Sequence, residues 1–152
     1  MDEEPGRIME NINVVRLGAQ ELEDARRCVL AFWDEPSAGD DLQRFLDNPG
    51  NVLLAGYRAG ELAGGLLGYV LERPDGKTPM LFLYSIDVLA EHRRDGVASA
   101  LIEEFIRLGR EAGCGKGFVL TDEGNPPAMA LYVATGALRP RQNDALYEWE
   151  LK

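Results

Sequence analysis

Histidine and cysteine are scarce: one His and two Cys occur among 152 residues. With Cys28 and Cys114 alone, the chain can form at most one disulfide, and nothing points to an oxidising compartment. No second ligand lies near His92 in sequence and no Cys–His pair occurs, so neither a metal site nor a thiol nucleophile is expected. His92 is read as a surface residue. Long apolar runs are also missing; none reaches the roughly 18 residues that span a bilayer. The opening Met-Asp-Glu-Glu-Pro-Gly-Arg-Ile-Met-Glu-Asn lacks the basic start and apolar stretch of a signal peptide, so residues 1–11 are expected to form a flexible tail. The cytoplasm is the expected compartment. Positive charge is the third shortage. Sixteen basic residues face 26 acidic ones, a net charge of −10 that repels nucleic acid and anionic membrane surfaces. A small cationic partner is instead attracted, although much of such a charge serves solubility.

What is present fits one soluble domain over 12–152, with 45% hydrophobic and 28% charged residues. Ile12 to Leu17 suits a strand. Ala19 to Trp33 carries Leu22, Ala25, Val29 and Phe32 at helical spacing. The polar break from Asp34 to Asp41 holds four acids, Asp34, Glu35, Asp40 and Asp41, before a short helix at Leu42 to Asp47. The period then changes. Val52 to Tyr57 and Leu62 to Leu71 read as strands joined by a hairpin turn at 58–61, and Met80 to Leu89 as a third apolar strand. Ala98 to Ala112 is an amphipathic helix ended by Gly113, followed by a strand at Phe118 to Thr121. A short helix at Pro127 to Thr135 and an alternating strand at Ala145 to Leu151 complete a mixed α/β order. Trp33 and Trp149 are read as core or interface residues.

The strongest local signal is the junction from Val88 to Ala98. An apolar strand ends, an Arg-rich turn follows, and a helix opens at a glycine. Arg93-Arg94-Asp95-Gly96-Val97-Ala98 fits the pattern Q/R-x-x-G-x-G/A. Such a junction is an anion cradle, because a helix N-terminus presents unpaired N–H groups and the positive end of its dipole. Small side chains at Gly96 and Ala98 let a pyrophosphate approach the backbone, and Arg93 and Arg94 add charged donors. A second segment, Asn125 to Tyr132 followed by Gly136, fits N-x-x-A-x-x-L-Y-x-x-x-G.

The two segments, about 30 residues apart and in this order, resemble the signatures of the GNAT superfamily of N-acetyltransferases. The resemblance implies a mixed, partly splayed sheet flanked by helices, with acetyl-coenzyme A as cosubstrate. It assigns the coenzyme to Val88, Leu89 and the cradle of Arg93, Arg94, Asp95, Gly96, Val97, Ala98 and Ser99. Asn125, Ala128 and Tyr132 of the second signature join them. A narrower likeness, in Phe118 to Tyr132 and Glu91-His-Arg-Arg94, is to aminoglycoside 3-N-acetyltransferases of type I. That subgroup often has an acid where this chain has Ser85. A homodimer is common in the superfamily and is possible here, with the final strand able to take part.

The implied chemistry sets three demands. An alkylammonium must lose a proton before its nitrogen attacks. The acyl oxygen needs a donor as charge develops, and the leaving thiolate a proton. By the resemblance, the Val88 N–H is the donor and Tyr132 the acid. Asp87 is the candidate amine-facing carboxylate, since a charge interrupting an apolar strand is costly unless it faces a cleft or partner. It acts as the base or orients the amine or a water. Strand alternation puts Ser85 on the same face. Asp34, Glu35, Asp122 and Glu123 complete the candidate acceptor site. An aminoglycoside is the preferred acceptor. A polyamine, another small metabolite amine, a peptide amine, or a non-catalytic coenzyme-binding role stay open.

Overall fold

The computed structural model describes residues 11–152; the expected tail lies outside them except for Asn11. Five strands form one sheet in the order β1-β2-β3-β4-β5, with β1 at Ile12–Arg16, β2 at Asn51–Arg58, β3 at Glu61–Leu71, β4 at Met80–Val88 and β5 at Lys116–Val119. The first four run antiparallel, whereas β4 and β5 are parallel. Their central positions are apolar on both sides, as expected of strands covered on two faces.

Helix α1 (Leu22–Phe32) and helix α2 (Asp41–Asp47) cover one face, and α3 (Val97–Glu111) covers the other. A 3-10 turn at Ala19–Glu21 precedes α1, where the sequence suggested continuous helix. The Glu21 carboxylate accepts from the Gly18 N–H at 2.8 Å and closes that turn. Ala25 and Cys28 of α1 pack with Leu17, Leu53 and Ala55. Leu101 and Phe105 of α3 pack with Val52, Leu54 and Leu66 in the larger core. Helix α3 sits close because the sheet offers it glycine: a Cβ on Gly68 would stand 2.3 Å from Phe105 Cζ.

Two irregularities shape the functional end. The β3–β4 ladder shifts register between Leu67 and Gly68, leaving Tyr84 as the extra residue opposite them. The β4–β5 ladder holds only from Met80–Lys116 to Leu83–Val119, so the strands part beyond that bulge. The sheet is therefore mixed and splayed, as expected.

Strand β5 lies two residues earlier than the sequence suggested. Helix α4 spans Pro126–Ala134. The expected strand from Ala145 to Leu151 does not form among the described residues. It pairs with neither edge strand of the sheet, β1 nor β5, and an alternating pattern makes a strand only where an edge satisfies its backbone groups. Trp149 is 83% exposed and so lies outside the core. No helix among the described residues is long and apolar enough to cross a membrane.

Candidate active site

Strand β4 carries the central residues to the point where the sheet opens. Beyond the bulge, Ile86 and Val88 pack towards α3. Ser85 and Asp87 therefore face the α1 side, as alternation requires. Ser85 lies opposite Leu67 and Asp87 opposite Gly65 across the β3–β4 ladder. The Asp87 side chain is half exposed, and its Oδ1 accepts from the Val88 N–H at 2.9 Å. The backbone donor expected to face an acyl oxygen is thus held by the neighbouring carboxylate.

The Arg-rich turn folds back onto the same strand. Arg93 Nε donates to the Val88 carbonyl at 3.0 Å, and Arg93 Nη2 lies 3.9 Å from Asp87 Oδ1. Arg93 therefore faces the strand end, while exposed Arg94 adopts a left-handed backbone with φ of 67°. Asp95 pairs with Arg58 at 3.2 Å, anchoring the turn to the end of β2. Gly96 has φ of 91°, which strongly favours glycine, and no side chain caps the first turn of α3. The Val97 side chain is buried in the core, with Ala98 and Ser99 following it in that first turn. Leu89 donates its N–H to the Ala63 carbonyl at 2.8 Å and extends the β3–β4 pairing past Val88.

The sequence reading of His92 is corrected. A 3-10 turn at Ala90–His92, closed by His92 N–H on the Leu89 carbonyl at 2.9 Å, folds the imidazole inward to 9% exposure. Its Nε2 lies 3.8 Å from Glu61, and Nδ1 has no partner. No cluster of three or more His, Cys, Asp or Glu that could hold a metal occurs among the described residues. Burial pushes the Cys28 thiol up to about 12, so it carries little thiolate near neutral pH.

The second signature divides into a cap and a tyrosine. Asn125 Oδ1 accepts from the Ala128 N–H at 3.2 Å, starting α4 as its N-cap. That bond occupies both Asn125 and Ala128. Tyr132 packs against the core beneath α3 and lines two grooves, one beside Asp122 and Glu123 and one beside Phe105 and Phe118. Burial raises its phenol above the ordinary value of 10.0, so the hydroxyl keeps its proton at neutral pH.

The acids are not equivalent. Asp40 and Asp41 both pair with Arg44, and Glu123 pairs with Arg139 at 2.7 Å. Asp122 Oδ1 accepts from the Gly124 N–H at 2.6 Å. Asp34 and Glu35 are exposed in the stretch after α1, with the Glu35 N–H on Asp34 Oδ1 at 2.8 Å. Sequence reasoning missed Trp33, whose indole N–H donates to Ser85 Oγ at 2.8 Å. Its position between α1 and the acidic break was the only signal available.

Residues 19–137 match the family described as the acetyltransferase (GNAT) family. The chain belongs to the GNAT acetyltransferases. It is an acetyl-coenzyme A-dependent N-acetyltransferase, as the sequence signatures led us to expect. An aminoglycoside acetyltransferase from an uncultured soil metagenomic sample is 26% identical, with a TM-score of 0.83 over 93% of this chain and 99% of its own. A second soil metagenomic aminoglycoside acetyltransferase, solved with sisomicin, shares the fold at 22% identity and a TM-score of 0.81, covering 95% of this chain and 99% of its own. A 6′-type aminoglycoside acetyltransferase, solved with a coenzyme A–acetylneamine bisubstrate analogue, has 21% identity and a TM-score of 0.71 over 91% of this chain and 98% of its own. Among curated proteins, none matches the chain. The residues at the α3 N-terminus suit the acetyltransferase cosubstrate. Its first turn is uncapped, Gly96 adds no side chain, and the sheet opens beside Val88.

Proposed function

We propose that this acetyltransferase modifies an aminoglycoside, at its 3-amino group, by direct transfer without an acyl-enzyme. The observation that carries the reading is Asp87, an exposed carboxylate at the mouth of the splay, on the face of the sheet covered by α1. Asp34 and Glu35, in the stretch that follows α1, add negative charge that suits a polycationic acceptor. Similarity to proteins described as aminoglycoside acetyltransferases supports the acceptor class. The likeness of Glu91–Arg94 and Phe118–Tyr132 to type I 3-N enzymes supports the position.

Bound acetyl-coenzyme A supplies an activated thioester. The α3 N-terminus, with Arg94, holds its pyrophosphate. Asp87 draws in the acceptor ammonium and accepts its proton, directly or through a water. Turning towards the ammonium, Asp87 releases the Val88 N–H, which then faces the acyl oxygen. Tyr132 protonates the departing sulfur. Asp122 and Glu123 contribute to the acceptor's outer contacts, Glu123 only after parting from Arg139.

We extend the proposal to a cytoplasmic homodimer, supported by the exposed apolar residues Leu146, Tyr147, Trp149 and Leu151. The test of regiochemistry is NMR of a purified gentamicin product. Acetylation of the 3-amino nitrogen is expected. Acetylation at another nitrogen overturns the 3-N assignment and keeps the acceptor class.

A further inference from the structure

Trp33 lies along the sheet in a way that links the two halves of the acceptor site. Its indole N–H reaches Ser85 Oγ at 2.8 Å. Its far edge lies over Gly65, where a Cβ would stand 3.2 Å from Trp33 Cη2 and 2.9 Å from Phe32 Cδ2. Gly65 is the ladder partner of Asp87, and Leu67 is the partner of Ser85. These two rungs are two residues apart, roughly 7 Å along the strand, a span that one indole can bridge. The ring therefore runs from the Ser85 rung to the Asp87 rung.

The same residue begins the segment that bears two acids. The N–H groups of Trp33 and Asp34 both donate to the Val29 carbonyl, at 2.9 and 3.1 Å, ending α1. Asp34 and Glu35 follow immediately in an exposed stretch without regular structure. Left free, such a stretch pays conformational entropy when it orders around a ligand. Anchored at its first residue, it starts from one fixed point beside β4.

We propose that Trp33 is a positioning residue for the acceptor, its bond to Ser85 holding the Asp34–Glu35 segment beside Asp87 so that ammonium groups meet both sets of acids. The inference rests on the amine-acceptor reading of this site. It gives Ser85 a role different from direct substrate contact. The hydroxyl accepts from the Trp33 indole and adds no charge that would compete with Asp87 for the ammonium. Gly65 is part of the device, because a side chain there meets the two aromatic rings.

The test uses the full chain carrying Trp149→Phe, which leaves Trp33 as its only tryptophan. The probes are gentamicin and spermidine, titrated by calorimetry and followed by Trp33 emission and the indole N–H NMR signal. Ser85→Ala is expected to shift the indole signal, weaken amine binding about tenfold, and raise the amine KM similarly. The acetyl-coenzyme A KM and kcat should change less than twofold. Ser85→Thr should restore the amine KM. Trp33→Phe should weaken binding similarly, with no further loss when combined with Ser85→Ala. Unchanged amine affinity in Ser85→Ala overturns the proposal, as does additivity of the two changes. Failure of the acceptor assignment looks different. Wild-type chain then binds spermidine and not gentamicin, while Ser85→Ala still weakens spermidine binding. If neither amine binds, the positioning role is overturned together with the acceptor site.

Discussion

The reaction proposed for this acetyltransferase depends on two side chains that meet different demands. Asp87 is exposed and accepts from the Val88 N–H, the group that the proposed mechanism frees. Replacing it with Asn keeps the shape and removes the charge. We expect kcat/KM for the amine to fall about a hundredfold or more, within the range of lost general base catalysis. The acetyl-coenzyme A dissociation constant should remain within a few-fold, as calorimetry will show. Tyr132 is sheltered, and burial raises its phenol pKa. A raised folded-state value means the neutral phenol's contribution to stability is fully present below the unfolded value. It is lost as pH rises through the higher folded value. Tyr132 should therefore remain a competent acid up to about pH 10, with no alkaline loss of kcat from this group below it. Tyr132→Phe should lower kcat about a hundredfold at pH 7 and leave the amine KM near wild type. A kcat unchanged by that substitution removes Tyr132 from the mechanism.

At the scale of elements, irregularity in the sheet sets where Ser85 and Asp87 lie. The bulge at Tyr84 and the short β4–β5 ladder open the sheet at Ser85 and Asp87. Alternation in the sequence revealed the strands and put Ser85 and Asp87 on one face. It could not reveal the bulge, which depends on pairing between distant segments. The strand–turn–helix order of the Arg-rich junction was legible, but not that Arg93 bonds back to Val88, five residues earlier, or that Asp95 pairs with distant Arg58. His92 was misplaced because a local 3-10 turn, which its sequence does not announce, decides its direction. Trp33 was visible as a large residue, whereas its bond to Ser85 spans 52 positions. Packing between α3 and the sheet gives a separate prediction. A methyl group on Gly68 meets the Phe105 ring at 2.3 Å. Gly68→Ala should cost about 1–3 kcal/mol by overpacking, measured by urea denaturation. Full wild-type stability would contradict the close approach of α3.

For the molecule as a whole, net charge and the C-terminal stretch set its behaviour. A charge of −10 favours capture of polycations, and gentamicin KM should rise with added salt. The stretch after α4 exposes Tyr147 at 81% and Trp149 at 83%, although its alternating pattern predicted a paired strand. The pattern in sequence shows the propensity, and the partner edge decides whether it is realised. If this stretch joins two copies, light scattering will give a dimer mass that Trp149→Asp reduces to a monomer. A monomeric wild-type chain at micromolar concentration contradicts the homodimer. Free-thiol release from acetyl-coenzyme A in the presence of gentamicin, spermidine and a short peptide tests the aminoglycoside assignment. Rapid release with gentamicin, lost in Asp87→Asn, is the predicted result. Release only with spermidine or the peptide would contradict the aminoglycoside assignment, and no release with any amine would contradict the proposed catalytic site itself.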